Sequence, residues 1–399
     1  MKIIFINTRY WPAIGGVENS IRTIGGVLSN EHSVKIVCAL NRNLVPSPAR
    51  LSVLAPCLDK YYDNKIEVIP INPSIKNRIL SAFAMVYYIP KIRRYFYNQL
   101  LRLSIKNYKW AFKYKLKQVF SGVDIVHSHT SAHLGWAAYE AAKELNIAYV
   151  ITPHMHPGQY GDGPADIELY KNADAVIALS EPEKKFYLTA GIKKENIFVA
   201  GEAASVAVLD STKLLQQKYD LFGYNIVIFI GRKQKYKGVL ELRKAADEVW
   251  KQFPKTKFLF IGPAYKGCII DTKDSRIINV ESATENEKSS FIALSDMLCL
   301  PSQYESFGIV VLEAWALKKP VIVSDNEVLR SLIKDGADGI VAKPQSIYIA
   351  EAIMKLIKNP QTASQYGLNG FDKYINKYTP ELVSKEYADI YKKILERIK

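Results

Sequence analysis

Long hydrophobic runs are missing from these 399 residues: no apolar stretch reaches the ~18 positions that a membrane-spanning helix requires. The chain is therefore expected to be soluble or peripheral. The short apolar opening MKIIFIN, followed by Thr8 and Arg9, reads as a first strand rather than a secretory signal. Cysteine is scarce. Cys38, Cys57, Cys268 and Cys299 share no CxxC spacing, and two fall inside strand-like runs where cysteine behaves as a small hydrophobe, so a reducing compartment fits best. Acidic residues vanish altogether between Glu67 and Asp124, a gap that holds much of the net charge of +15. Such an excess calls for an acidic partner: nucleic acid, anionic lipid or a phosphorylated substrate.

What is present suffices for two ordinary cores. A hydrophobic content of 48% with mixed charge excludes wholesale disorder, and the length suits two domains of nearly equal size. Short β-branched runs at Lys2 to Asn7, Ser33 to Leu40, Asp124 to Ser128, Ala148 to Thr152, Ala175 to Ser180 and Ile197 to Ala200 alternate with helical patterns. Alternation of this kind predicts parallel strands joined by crossover helices. A second series follows at Asn225 to Gly231, Lys257 to Gly262, Arg276 to Val280, Met297 to Pro301 and Pro320 to Ser324, with helices such as Val239 to Gln252 between them. The expected architecture is α/β, two Rossmann-like doubly wound domains facing a central cleft, with ligands beyond the carboxyl ends of the strands. The first domain is expected at 1–201, a linker at 202–224, the second domain at 225–375 and a C-terminal helix at 376–399, the C-terminal helices packing back toward the first domain.

Two segments of the second half carry chemistry. Gly231-Arg232-Lys233-Gln234-Lys235-Tyr236-Lys237-Gly238 follows a buried strand and opens a helix. It places a guanidinium, ammonium groups and backbone N–H groups at a helix N-terminus, which makes an anion site. Farther on, Pro301-Ser302-Gln303-Tyr304-Glu305-Ser306-Phe307-Gly308 follows another strand and leads into a helix that contains Glu313. At 1.5 Å of rise per residue, Glu313 lies about 9 Å along the axis from Phe307. One carboxylate can then meet a sugar and the other a ribose, with a diphosphate between them. The N–H groups near Phe307, Gly308 and Ile309 supply donors to the same ligand, and the helix dipole favours its negative charge.

Together these segments resemble family 4 of the retaining GT-B glycosyltransferases, the glycosyl transferases group 1. The Arg232 to Lys237 spacing is similar to the family's phosphate-binding turn, and Glu305 and Glu313, with seven residues between them, resemble its paired-glutamate motif. The resemblance implies a nucleotide-sugar donor. Arg232 and Lys237 would bind its diphosphate, Glu305 with the Phe307, Gly308 and Ile309 amides its sugar, and Glu313 its ribose. It also implies hexosyl transfer with retention, a same-face substitution in which the leaving phosphate accepts the acceptor hydroxyl's proton. The family's usual Gly-Gly after the Pro320 to Ser324 strand is replaced by Asp325-Asn326-Glu327-Val328, and its linker Gly-Val-Asp reads Gly201-Glu202-Ala203. No Asp-x-Asp motif stands beside a predicted strand end, so no metal or other cofactor is expected. Arg232, Lys237 and a helix dipole would meet the diphosphate charge instead.

In the first half, Trp11-Pro12-Ala13-Ile14-Gly15-Gly16-Val17-Glu18 follows the first strand, and its paired glycines let backbone approach a phosphate or sugar. Family 4 members carry a similar loop that closes over the donor, which assigns Gly15 and Gly16 to donor binding. Five of the six histidines, His127, His129, His133, His154 and His156, fall near the ends of two adjacent predicted strands. His127 with His129, and His154 with His156, each put two imidazoles on one strand face, a spacing that suits a metal. A metal-dependent hydrolase built on His127, His129, His154 and His156 is thus the alternative. It lacks a completing carboxylate motif and leaves Arg232, Lys237, Glu305 and Glu313 unexplained. In the resemblance, His154 matches the histidine that faces the donor sugar near the reacting carbon, completing a catalytic set of His154, Glu305, Arg232 and Lys237. His129 would lie where acceptors enter.

The acid-free segment interleaves Lys76, Arg78, Lys91, Arg93, Arg94, Arg102, Lys106, Lys109, Lys113, Lys115 and Lys117 with aromatic residues. Ile92, Tyr95, Phe96, Leu100 and Leu103 recur at helical spacing, with Pro90 dividing the segment into two helices. A basic amphipathic insertion at 75–120 suits the interface of an anionic membrane, and a core helix with a solvated basic face is the plainer reading. No nucleic-acid motif accompanies it. The expected protein is a cytoplasmic glycosyltransferase, peripheral on the inner face of the membrane. It would act on a glycan or lipid-linked acceptor in cell-surface polysaccharide or glycoconjugate synthesis. A catalytically silent GT-B scaffold is disfavoured by the intact charged set.

Overall fold

The computed structural model describes residues 1–13, 15–40, 59–71, 90–156, 160–265 and 268–398, with the backbone alone at Leu40, 90–98 and Ala132. These residues divide into two compact units, 1–201 together with 383–399, and 202–382.

In the first unit, strands β1 (Lys2–Arg9), β2 (Ser33–Leu40), β3 (Tyr61–Asp63), β4 (Ile66–Pro70), β5 (Ile125–Ser128), β6 (Ala148–Ile151), β7 (Ala175–Ala178) and β8 (Ile197–Val199) form one sheet. Its order is β3-β4-β2-β1-β5-β6-β7-β8, and among these pairs only β3 runs antiparallel, against β4. Helices α1 (Gly16–Leu28), α2 (Pro90–Phe120), α3 (Ala132–Glu144), α4 (Pro164–Asn172) and α5 (Glu181–Thr189) accompany it. Residues 3–7 of β1 are buried in succession rather than alternately, as expected of a parallel strand covered on both faces. β1 pairs with β2 on one side and β5 on the other, aligning Ile3 with both Val34 and Ile125.

The second unit contains α6 (Thr212–Lys218), β9 (Asn225–Ile230), α7 (Val239–Trp250), β10 (Thr256–Ile261), β11 (Ile277–Val280), α8 (Glu285–Leu294) and β12 (Met297–Leu300). It continues with α9 (Ile309–Ala316), β13 (Val321–Ser324), α10 (Glu327–Leu332), β14 (Ile340–Ala342), α11 (Ser346–Lys358) and α12 (Pro360–Lys377). The sheet is parallel throughout, in the order β11-β10-β9-β12-β13-β14.

Several boundaries differ from the sequence reading. The stretch 202–224 belongs to the second unit and contains α6, whose Leu215 is buried, so it is more than a linker. The last helix, α13 (Pro380–Ile398), starts four residues later than expected. From Val383 onward it belongs to the first unit: Tyr387, Tyr391 and Ile394 are buried, and the Arg397 guanidinium donates to the Glu195 carbonyl at 2.6 Å. β3, β4 and β14 were not foreseen. Two of them are only three residues long, too short for a periodicity to emerge.

The basic segment needs the largest correction. Its part at 75–89, with Lys76 and Arg78, lies outside the described residues, as do the side chains of Lys91, Ile92, Arg93, Arg94, Tyr95 and Phe96. From Pro90 onward a single helix runs to Phe120. Its buried seam is Ile105, Tyr108, Phe112, Leu116 and Phe120, whereas Leu103 is exposed. Lys109 pairs with Glu140 at 2.6 Å, Lys117 with Glu144 at 3.1 Å, and Lys113 also with Glu144. The acids absent from the segment's own sequence are thus supplied by α3, and this half of the helix is a core element. Among the described residues no helix is long and apolar enough to cross a membrane.

Candidate functional site

In the second unit the chain leaves β9 toward β10 on one side and returns to β12 on the other. The carboxyl ends of β9 and β12 therefore flank the topological switch point where open α/β sheets bind ligands. Both charged loops emerge there. At Gly238 the backbone is left-handed (φ 71°), and a Cβ would lie 2.2 Å from the Pro301 carbonyl oxygen. Glycine alone tolerates both conditions, and its bareness lets the loop after β9 lie against the loop after β12. The Gln303 N–H donates to the Tyr236 carbonyl at 2.7 Å and joins them. Across that junction Lys237 Nζ meets Glu305 Oε1 at 2.6 Å, both side chains largely buried. Arg232 is exposed and has no ion pair among the described residues.

Gly308, at φ 99°, caps α9. The first-turn N–H groups of such a helix, Ile309 among them, lack intrahelical partners and suit an anion. Phe307 is buried with its ring 5.8 Å from that of Tyr378. Glu313, also buried, accepts from Lys288 Nζ at 2.7 Å, and the same ammonium reaches Glu285 at 2.7 Å. Burial opposes the Lys288 charge, but Glu313 and Glu285 outweigh it and raise the ammonium above its ordinary range. Burial likewise lifts the Glu313 carboxyl, and Lys288 offsets that lift. The segment that departs from the family's Gly-Gly has a structural task. Asn326 accepts from the Leu329 N–H at 2.9 Å, capping α10, and donates to the Ser302 carbonyl at 2.9 Å. It thereby fixes the start of the Glu305 loop.

The first unit has its own switch point, between β1 and β5. Gly15 caps α1, and a Cβ there would lie 2.2 Å from Glu18 Oε2. The missing side chain makes room for the Arg9–Glu18 ion pair, 2.9 Å long. Gly16, the first residue of α1, is exposed. On the other side lie the histidines. His127 is buried, with Nδ1 2.6 Å from the Tyr391 hydroxyl and Nε2 2.8 Å from the Thr152 hydroxyl. His129 Nδ1 lies 2.9 Å from His154 Nε2, and the Nε2 of His129 is buried with no partner among the described residues. His154 holds a left-handed backbone at φ 48°, a conformation that costs a non-glycine residue energy and tends to persist at functional positions. Burial, helped by His156, pulls its imidazole down to about 3, and burial together with the neighbouring imidazoles keeps His129 neutral too. His133 bonds Ser104 at 2.8 Å, and His156 stacks on Tyr160 at 4.6 Å between ring centres.

The proposed metal cluster is not assembled: among the described residues no three of His, Cys, Asp or Glu are placed to hold an ion. Both nitrogens of His127 are already engaged. Two charged neighbours of the candidate residues escaped the sequence reading. One is Lys288, the partner of Glu313. The other is Glu183, buried beneath the His154 loop, where it accepts from the Leu179 N–H at 2.6 Å, the Tyr187 hydroxyl at 2.6 Å and the Met155 N–H at 3.4 Å. Burial pushes its carboxyl up to about 7. The Ser180-Glu181-Pro182-Glu183 pattern was available as a helix-start signature, but that signature does not foretell a carboxylate turned inward.

With this geometry in view, the comparisons with known proteins define the class. A family model described as Glycosyltransferase Family 4 matches residues 14–201, and one described as Glycosyl transferases group 1 matches residues 212–373. Together they account for most of the chain, which belongs to the group 1 glycosyltransferases and has their GT-B fold. It is 29% identical over 240 residues to the capsular polysaccharide biosynthesis glycosyltransferase CapM of Staphylococcus aureus, covering 56% of this chain and 63% of that one. It is 29% identical to the alpha-D-kanosaminyltransferase of Streptomyces kanamyceticus, covering 45% of this chain and 48% of that one. The chain therefore spans less than two thirds of the length of either relative. The alpha-monoglucosyldiacylglycerol synthase of Acholeplasma laidlawii is 22% identical and matches 100% of this chain and 98% of its own. Among solved structures, Anabaena HepE in complex with UDP-glucose superposes with a TM-score of 0.74 at 16% identity, over 98% of this chain and 100% of that one.

Proposed function

We propose that the chain is a retaining hexosyltransferase that moves a sugar from a nucleotide-sugar donor to a glycan or lipid-linked acceptor in cell-surface polysaccharide or glycoconjugate synthesis. The observation that carries this reading is the Lys237–Glu305 pair at the β9/β12 switch point, with the exposed Arg232 in the same loop as Lys237. A donor diphosphate arriving there takes Arg232 and Lys237 as counter-charges, which frees Glu305 to accept from the sugar hydroxyls. The α9 N-terminus at Phe307, Gly308 and Ile309 adds oriented N–H groups, and Glu313, held by Lys288, accepts from the ribose. As the bond from the anomeric carbon to phosphate breaks, negative charge grows on the phosphate, and fixed cations and dipoles stabilise it there. The acceptor oxygen bonds to the same face of the carbon and its proton passes to the departing phosphate. This chemistry asks for no divalent ion. On the first unit, Gly15, Gly16 and His154 serve the donor and His129 the acceptor, roles that rest on the resemblance to family 4.

Likeness to a lipid glycosyl synthase and to a capsular polysaccharide enzyme supports the acceptor class. An anionic membrane surface is the proposed partner of the outer side of α2, a narrower patch than 75–120. There Arg102, Lys106 and Lys115 are exposed beside Leu103, Trp110 (52%) and Tyr114 (75%). Aromatic and basic side chains in such a mixture suit the headgroup region. The test of the donor reading is thermal stabilisation by a panel of UDP-, GDP- and ADP-sugars, followed by product analysis with the stabilising donor. Saturation at a hundredfold over Kd adds about 2.7 kcal/mol to the folded state, which melting curves resolve easily. If no nucleotide sugar raises the melting temperature, the donor reading fails.

A further inference from the structure

Glu183 is the third residue of α5, a position from which a carboxylate ordinarily returns to the N–H of its own capping residue. Half of that arrangement is present, the Glu183 N–H donating to the Ser180 hydroxyl at 3.3 Å. The carboxylate, however, turns inward and leaves the residue 4% exposed. Its Oε2 accepts from the Leu179 N–H at 2.6 Å, and its Oε1 from the Tyr187 hydroxyl at 2.6 Å and the Met155 N–H at 3.4 Å. Leu179 follows β7 and Met155 follows β6, so one carboxylate joins the loops after two neighbouring strands. None of these contacts is to a cation. A buried carboxylate without a counter-charge is costly, and a helix cap alone does not require it.

What the carboxylate holds is the backbone of His154. A peptide is planar, so the direction of the Met155 N–H sets ψ at His154, whose φ of 48° is left-handed. Such a backbone persists only where its surroundings over-determine it. Glu183 fixes it from α5, and His129 Nδ1, 2.9 Å from His154 Nε2, fixes the ring. The far end of the loop is tied to the same cluster: the Tyr170 hydroxyl donates to the Gly161 carbonyl at 2.9 Å, and the Tyr170 and Tyr187 rings lie 5.7 Å apart. We propose that ionised Glu183 is the positioning residue that holds His154 in the geometry sugar transfer requires, so that its protonation slows the reaction. This rests on the donor-side role given to His154 above. An ionised carboxylate accepts from all three donors at full strength, whereas a protonated one turns an O–H toward a neighbour and holds the Met155 N–H more weakly. Burial raises the Glu183 carboxyl to about 7, which places this change in the neutral range. Around it stand Tyr187 on its own helix, Tyr170 and Asp166 on α4, and His154 and His156 on the loop. Burial raises both tyrosine hydroxyls well above that range and lowers His154 to about 3.

The test is the turnover of the full chain from pH 6 to pH 9, read as release of nucleoside diphosphate from whichever UDP-, GDP- or ADP-sugar most raises the melting temperature. Wild type should slow about tenfold between pH 8 and pH 6, as one group titrating near 7 requires. Glu183→Gln, of the same shape and neutral at every pH, should run about tenfold below wild type at pH 8 and show no step near 7. Tyr187→Phe removes one donor to the carboxylate, so it should keep the step and move its midpoint up by about one unit. That variant and the wild-type profile decide the matter even where Glu183→Gln does not fold. In a His154→Ala background, Glu183→Gln should change the rate by less than about twofold, an outcome that a merely structural role would not produce. A wild-type profile flat through pH 7, a Glu183→Gln variant that retains the step, or an equal loss with and without His154 overturns the role of Glu183 and leaves sugar transfer standing. A step that survives in Glu183→Gln belongs to another group, His156 first among them. If wild type turns over none of the sugars at any pH, the donor reading itself falls, and the role of Glu183 with it.

Discussion

The two units share a doubly wound plan but furnish their switch points differently. At the β9/β12 edge the side chains are charged and paired across loops, Lys237 with Glu305 and, behind them, Lys288 with Glu313. At the β1/β5 edge, besides the Arg9–Glu18 pair, stand imidazoles that burial keeps neutral and that bond to one another or to hydroxyls. One topology thus supports two electrostatic tasks. The charged edge suits an anion, and the imidazole edge suits a neutral ligand rich in hydroxyls.

The largest effect is expected from breaking the charged edge. Glu305→Ala, Lys237→Ala and Arg232→Ala should each slow sugar transfer by roughly two to three decades, the equivalent of about 2 to 4 kcal/mol in the barrier. Circular dichroism should show the fold intact, since the residues sit in loops rather than in the sheet. Turnover near wild type by all three variants with the stabilising donor would remove the site. Transfer rates of His154→Ala sharpen the comparison. A neutral hydrogen-bonding group should matter less than a counter-charge, and a larger loss at His154 than at Lys237 would reverse the roles assigned to the two edges.

The next effect concerns the outer side of α2. Converting Arg102, Lys106 and Lys115 to Gln should weaken cosedimentation with phosphatidylglycerol-containing vesicles by about tenfold or more, because each basic residue contributes roughly 1 kcal/mol near an anionic surface. Lys109, Lys113 and Lys117 are occupied by α3 carboxylates and should contribute little to that binding. Binding should fall as added salt shortens the Debye length below about 10 Å, its value near 0.1 M. If the triple variant sediments like wild type, α2 is a core helix and nothing more.

Much of this was legible in the sequence, and unevenly so. Buried parallel strands such as β9 and β12 are continuous apolar runs, and the charged loops after them stand next to those runs in the chain, so residue spacing sufficed to single out Arg232, Lys237, Glu305 and Glu313 as candidates. What failed was anything that depends on a distant partner. Lys233 reads as one more base in a basic turn, and only the end of β11, where Asn279 and Val280 accept from its buried ammonium, reveals that it points inward. The acid-free stretch reads as uncompensated charge throughout because Glu140 and Glu144, which pair with Lys109, Lys113 and Lys117, lie on the next helix. The histidine pattern was visible, but the hydroxyl of Tyr391, which occupies His127, comes from a helix 264 residues away.

A smaller effect follows from the neutral edge. Burial holds His154 near 3 and His133 near 4, and keeps His127 and His129 well below the ordinary imidazole range. The unfolded chain binds protons at these sites from about pH 6.5 downward and the folded chain does not, so stability falls as the pH drops below that value. For His154 alone the loss at pH 5 is about 2 kcal/mol. Glu183 acts in the opposite direction. Its carboxyl, raised to about 7, contributes stability that is present below about pH 4.5 and is lost as the pH rises through 7. With four imidazoles against the raised carboxyls of Glu183, Glu313 and Asp296, the melting temperature should decline between pH 7 and pH 5, and His154→Asn should flatten the decline. A melting temperature that rises on acidification would show the imidazoles to be charged in the fold.

The smallest expected effect is none at all, and it separates the two edges most cleanly. Transfer should persist in excess EDTA, because the diphosphate charge is met by Arg232, Lys237 and the α9 N-terminus rather than by an ion. Among the described residues the histidines form no ready-made metal site: His127 spends both ring nitrogens on Tyr391 and Thr152, and the His129–His154 contact places two imidazoles on each other rather than around a common centre. A metal would need that contact broken and at least one further ligand brought in. The measurement is the transfer rate before and after chelation, with metal analysis of the purified chain. Loss of activity restored by manganese alone would put an ion beside the donor diphosphate and retain the transferase. Loss restored by zinc, together with stoichiometric zinc in the protein, would move the chemistry to the histidine edge and make the charged edge a binding site only.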